Sequence, residues 1–156
     1  MILADTSAWV EFDRASGSPV DQRLTALIED DGPLAVTEPV VMEVLARAHH
    51  GPREEDLRRL MLRFDLLRFD AAVDLDAAMR IYRRSRHAEI IPKGMVQCMV
   101  ASVAWRSGAA LLSSDRTLIR IARVVGIEVD RASLQGQPPI TPSPPPPATT
   151  GRRRRR

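Results

Sequence analysis

The chain of 156 residues contains one cysteine, Cys98, and one lysine, Lys93. A lone cysteine excludes an internal disulfide framework and a thiolate zinc site, and it suits a reducing compartment. No apolar run approaches the roughly 18 residues that a membrane span needs, so no membrane partner is expected. The start, Met1-Ile2-Leu3-Ala4-Asp5, has no basic region and runs straight into an acid, unlike a secretory signal; a cytoplasmic location is expected. An excess of positive charge is also missing from the body. The net charge is +3, but five of the 23 basic residues are Arg152 to Arg156, which leaves 18 basic against 20 acidic residues, or −2, in residues 1–150. That balance excludes a broad basic nucleic-acid face; such a body would hold a polyanion through metal ions and a few placed arginines.

What is present is one domain's worth of chain, 44% hydrophobic and 28% charged, long enough to bury roughly two thirds of its unfolded surface. Its opening is a short apolar run that stops at Asp5-Thr6-Ser7 and passes into Ala8-Trp9-Val10-Glu11-Phe12, a strand leading directly into a helix. Asp5 stands at the strand's carboxyl end, the edge where open α/β sheets bind ligands, although Asp5 or Ser7 could equally serve as the helix cap. The same order recurs later. Ala109 to Leu112 reads as a strand, Ser113-Ser114-Asp115 follows, and a helix with Leu118, Ile119, Ala122 and Val125 runs to Gly126. A strand at Leu34-Ala35-Val36 precedes a helix opened by Thr37 and Pro39, and one turn inside it Glu43 interrupts Val40, Val41, Val44 and Leu45. Glu43 belongs either to the same edge or to a solvated outer face.

The remaining pattern is packing. Leu57, Leu60, Met61 and Phe64 give an amphipathic helix within residues 53–67, Leu66 to Phe69 reads as a third strand, and Asp70 caps a helix that ends in Arg80, Arg83, Arg84 and Arg86. Met95 to Trp105 is apolar nearly all round and should be central, ending at Gly108; Ile127-Glu128-Val129 is expected as a fifth strand. Residues 135–156, with seven of the 12 prolines and the five arginines, read as a disordered tail.

Alternating strands and helices predict an α/β fold with a mostly parallel central sheet of about five strands and helices on both faces. Asp5, Glu43 and Asp115 then converge on one edge. Neighbouring parallel strands lie about 4.8 Å apart, so such carboxylates can share a cation and would repel without one. The cation should be Mg2+, with Mn2+ as a substitute, because the three histidines, His49, His50 and His87, do not accompany the acids and His49-His50 read as a helix end and loop. A receiver domain would need a lysine after the last strands, and a haloacid-dehalogenase-type phosphatase would need an aspartate where Ser7 stands; neither fits.

These residues carry a resemblance. The Leu3-to-Glu11 opening, Val41-Met42-Glu43-Val44-Leu45-Ala46-Arg47, the Val96-to-Ala104 helix and Leu111-to-Leu118 together resemble the PIN-domain ribonucleases, most closely the VapC toxins of bacterial toxin–antitoxin pairs. The resemblance covers residues 1–134. It implies a PIN-like fold and a Mg2+-dependent endoribonuclease that cuts structured RNA such as tRNA or ribosomal RNA. It also implies a homodimer and a cognate VapB-type antitoxin that blocks the site. Asp5 would be the central metal ligand, Glu43 and Asp115 would complete the set directly or through water, and Ser7 would orient Asp5. The alternative is a PIN-like chain that binds antitoxin or RNA without cutting.

One position departs from the family. Gly94-Met95-Val96 and Met99-Val100-Ala101 align Gln97 with a further metal-binding aspartate. Glutamine is neutral, one methylene longer and carries an amide donor, so it removes a charge from the expected ligand set. A weakened enzyme, a naturally silent member and a deliberately attenuated variant all fit this change, whereas a glutamine that only packs within its helix does not explain a polar residue in so apolar a run; Gln97 is expected to face the acid cluster.

Overall fold

Three-residue apolar runs between helices become strands that bury both faces, because helices cover a parallel sheet on each side. The computed structural model describes residues 1–48 and 51–135. His49-His50 and the proline- and arginine-rich segment from residue 136 lie outside the described residues. Strand β1 (Ile2–Ala4) is central and wholly buried, as is β2 (Leu34–Val36) beside it. With β3 (Asp65–Leu66) and β4 (Ala110–Leu112) they form a parallel sheet in the order β3-β2-β1-β4.

Around the sheet lie α1 (Thr6–Asp13), α2 (Pro19–Glu29), α3 (Glu38–Arg47), α4 (Pro52–Met61), α5 (Ala71–His87), α6 (Met95–Ser107) and α7 (Arg116–Val125), followed by a 3-10 turn, Arg131–Leu134. The helix ends follow local chemistry. Ser18 caps α2 with Pro19 in its first turn, Asp70 caps α5 through the Ala72 N–H, and α6 and α7 stop at Gly108 and Gly126, whose φ values of 64° and 87° suit glycine. As its composition predicts, α6 is central, burying Cys98, Val100, Ala101 and Val103. Burial also pushes the Cys98 thiol up to about 11, which removes it from chemistry. Trp9 is fully buried against Phe12 and Phe64, with ring centroids 5.9 and 6.3 Å away.

Three expected elements are shorter than the pattern suggests. The third strand covers Asp65–Leu66 rather than Leu66 to Phe69: Leu67 N–H still donates to Val36 O, but Phe69 N–H turns to the Glu38 carboxylate and the Arg68 carbonyl is taken by Arg106. The helix expected within 53–67 ends at Met61, and Phe64 reaches the core from the following turn. At Ile127 to Val129 there is a single parallel bridge, Leu111 to Val129, rather than a fifth strand. Asp130 ends it by capping the 3-10 turn through the Ala132 N–H. The α/β architecture is as expected, with four strands plus that bridge among the described residues.

Candidate active site

The register of the sheet decides what meets at its carboxyl edge. Ala4 pairs with Leu112 and Leu3 with Ala35, so the residues that follow, Asp5, Ser113 and Thr37, leave adjacent strands side by side. In the order β3-β2-β1-β4 the chain changes direction across β1 and β4, and helix N-termini and loops open a crevice at such a reversal. A cavity of about 380 Å³ lies there, and Asp5, Glu43, Asp115, Gln97, Lys93 and Arg47 are among its lining residues.

Asp5 both caps a helix and faces the cavity. Its Oδ1 accepts from the Ala8 N–H (3.0 Å) and from the Ser7 hydroxyl (2.7 Å), and the residue is 4% exposed. Burial pushes its carboxyl from an ordinary 3.8 up to about 6, against the lowering effect of these hydrogen bonds and one from Ser113. Ser7 Oγ in turn accepts from the backbone N–H groups of Ser114 (2.8 Å) and Asp115 (3.1 Å), which ties the loop after β4 to the start of α1. Asp115 caps α7 through Thr117 and Leu118, and its second oxygen, Oδ2, lies 2.7 Å from Lys93 Nζ. Glu43 is held from below, its Oε2 accepting from the Thr6 hydroxyl at 2.6 Å. Gln97 lines the cavity too, but its Oε1 accepts from the Lys93 backbone N–H (2.8 Å), so it closes the first turn of its own helix.

The three carboxylates thus share one cavity, although among the described residues no three acids, histidines or cysteines are grouped closely enough to hold a single ion as they stand. The donor set is nonetheless oxygen-only and includes a buried carboxylate that only neutral groups contact, which suits a hard cation with completing waters. Gln97 suits it less, since its carbonyl oxygen is already engaged.

The PIN domain model matches residues 2–124 of the chain. The chain belongs to the PIN-domain family. Within it the chain is a VapC-type PIN protein. It is 36% identical to "VapC ribonuclease Mb1587" of Mycobacterium bovis over 129 residues, 82% of this chain and 96% of that one. It is 33% identical to "Ribonuclease VapC32" of Mycobacterium tuberculosis over 121 residues, 76% and 87% of the two chains. The same fold occurs in the crystal structure of VapBC2 from Rickettsia felis bound to a promoter DNA fragment, with a TM-score of 0.64, 15% identity, and 83% of this chain and 98% of that one covered. It occurs again in FitAcB from Neisseria gonorrhoeae, with a TM-score of 0.60, 16% identity and coverage of 85% and 98%.

Two residues of this cavity escape sequence reasoning. Thr6 looks like an ordinary first-turn residue, and only the packing of α1 beside α3 brings its hydroxyl under Glu43. Lys93 reads as part of a turn, Pro92-Lys93-Gly94, and only the approach of that loop to the start of α7 sets it on Asp115. The signal that could have found it is its place four residues before Gln97.

Proposed function

We propose that this chain is the toxin of a toxin–antitoxin pair, a metal-dependent endoribonuclease that hydrolyses a phosphodiester of structured RNA and is silenced by a VapB-type antitoxin. The observation that carries this reading is the convergence of Asp5, Glu43 and Asp115 on one cavity at the β1–β4 reversal, with Asp5 buried and in contact only with neutral groups. Its relatives Mb1587 and VapC32 are VapC ribonucleases, which supports the substrate class, and its fold neighbours in the VapBC2 and FitAB assemblies support an antitoxin partner.

Asp5 and Asp115, with Glu43, would hold Mg2+ or Mn2+. The bound ion supplies Lewis acidity that acidifies a water and offsets charge on phosphoryl oxygens. The chain's own residues orient that set: Ser7 holds Asp5 by a donated hydrogen bond and Thr6 holds Glu43. No side chain need act as a nucleophile. The purified chain should cut total RNA with Mg2+, stop with chelator, resume when Mg2+ is restored, and be silent as Asp5→Ala. Cutting that survives both chelator and Asp5→Ala would overturn the reading.

A second reading has its own support. Gln97 stands where the family has an aspartate and its oxygen is occupied by the Lys93 N–H. The same chain would then bind antitoxin or RNA with little or no cutting. The cleavage assay separates the two.

A further inference from the structure

The acid cavity poses a problem for a polyanionic substrate. Four carboxylates line it, those of Asp5, Glu11, Glu43 and Asp115, the body around it is net negative, and every nucleotide of RNA brings another negative charge. Among the described residues that line the cavity, two are cationic: Arg47, the last residue of α3, and Lys93, in the loop before α6. Each rests on a different site carboxylate. Lys93 Nζ lies 2.7 Å from Asp115 Oδ2, and Arg47 Nη2 lies 3.9 Å from Glu43 Oε1.

Neither pair holds the fold together. The Lys93 and Arg47 side chains are 67% and 62% exposed, and ion pairs that open to water contribute about 0–1 kcal/mol. Little energy therefore keeps the two cations on their acids, and both heads are free to move onto another anion. The Lys93 backbone is fixed where the head group is not, because its N–H donates to Gln97 Oε1. That leaves a four-carbon stem swinging from an anchored point at the cavity mouth. The chain uses arginine for all its other basic residues and has lysine only here. A lysine ammonium is a compact charge that can meet a phosphate from many directions, whereas the guanidinium of Arg47 offers a fork for two phosphate oxygens.

We propose that Lys93 and Arg47 form a phosphate clamp at the mouth of the acid cavity, exchanging their carboxylate partners for the RNA backbone phosphates that flank the reacting one. The clamp rests on the ribonuclease reading and is tested through binding, with cleavage by the unaltered chain separating its failure from that of the reading. Anisotropy of a short fluorescein-labelled single-stranded RNA, titrated with the full chain in chelator over a KCl series, measures both affinity and its salt slope. Lys93→Met and Arg47→Met should each lower the slope by about 0.7 and weaken binding about fivefold near 0.1 M salt. Lys93→Arg should keep the slope of the unaltered chain. Arg59→Met removes the same charge from an exposed position on α4, away from the cavity, and should leave the slope unchanged. Slopes for Lys93→Met and Arg47→Met equal to that of Arg59→Met would overturn the clamp. If the unaltered chain binds and cuts RNA while both cavity variants bind as it does, the clamp fails alone. An unaltered chain that neither binds nor cuts RNA overturns the clamp and the ribonuclease reading together.

Discussion

At the scale of single residues, the site trades stability for charge. Asp5 ionises near 3.8 when unfolded and near 6 when folded. Between these values the unfolded chain releases its proton first, so stability falls as pH rises; above about 6 the full cost stands, and below about 4 it disappears. A shift of about two pK units corresponds to roughly 3 kcal/mol at most. In chelator, Asp5→Asn should therefore be more stable than the unaltered chain at pH 7 by up to that amount and equal to it near pH 4; with Mg2+ it should not cut RNA. Thermal melts of both proteins across pH would check this, and an advantage of the Asn variant over the unaltered chain no larger at pH 7 than at pH 4 would refute it. Gln97 makes the complementary case. An aspartate there adds a charge to the cavity that Asp5 and Asp115 line, so Gln97→Asp should cut RNA on the order of tenfold faster or more, since a metal ligand contributes part of several kcal/mol of transition-state stabilisation. Equal rates at saturating Mg2+ would remove Gln97 from the account of activity.

At the scale of elements, the loops that deliver the site depend on how α5 and α6 are locked. Asp74 in α5 is fully buried and receives two N–H groups of Arg106 in α6, at 2.9 to 3.2 Å, as well as the Asp70 backbone N–H at 2.8 Å. The same guanidinium donates to the Arg68 carbonyl, which draws the chain out of the sheet after β3. The two partners are not equivalent. Arg106 is partly open to water and can be solvated without Asp74, but Asp74 without Arg106 is a buried charge with one backbone donor. Arg106→Met should cost about 3 kcal/mol or more, and Asp74→Asn about 1–2 kcal/mol. Urea unfolding of both variants gives the order, and a costlier Asp74→Asn would show that the pair is not limited by desolvation of the acid.

At the scale of the whole molecule, part of the apolar surface left over lies on α5 and α6. Of the two tryptophans, Trp9 is in the core and Trp105 on α6 is 58% exposed; Val73, Leu75 and Met79 on the neighbouring α5 are exposed as well. Exposed aromatic and aliphatic groups of this kind favour protein contacts, and we expect the chain to form a homodimer. Sedimentation equilibrium should give twice the chain mass at micromolar concentration, and a concentration-independent monomer mass would refute it. No helix among the described residues is long and apolar enough to cross a membrane.

Local order along the chain was enough to read the strand-to-helix transitions at Asp5 and Asp115, the central place of α6, the capping glycines and the PIN family, because strands, caps and amphipathic faces are set by residues a few positions apart. The length of β3 was not legible, since the competing hydrogen-bond partners, Glu38 for Phe69 and Arg106 for Arg68, come from distant segments. The same holds for the working detail of the site. Thr6 meets Glu43 across 37 positions, Lys93 meets Asp115 across 22, and Ser7 meets Ser114 across 107. Which acids the chain carries to the sheet edge is written in its sequence; which neighbours hold and neutralise them is decided only when the parallel register and the helix packing bring those segments together.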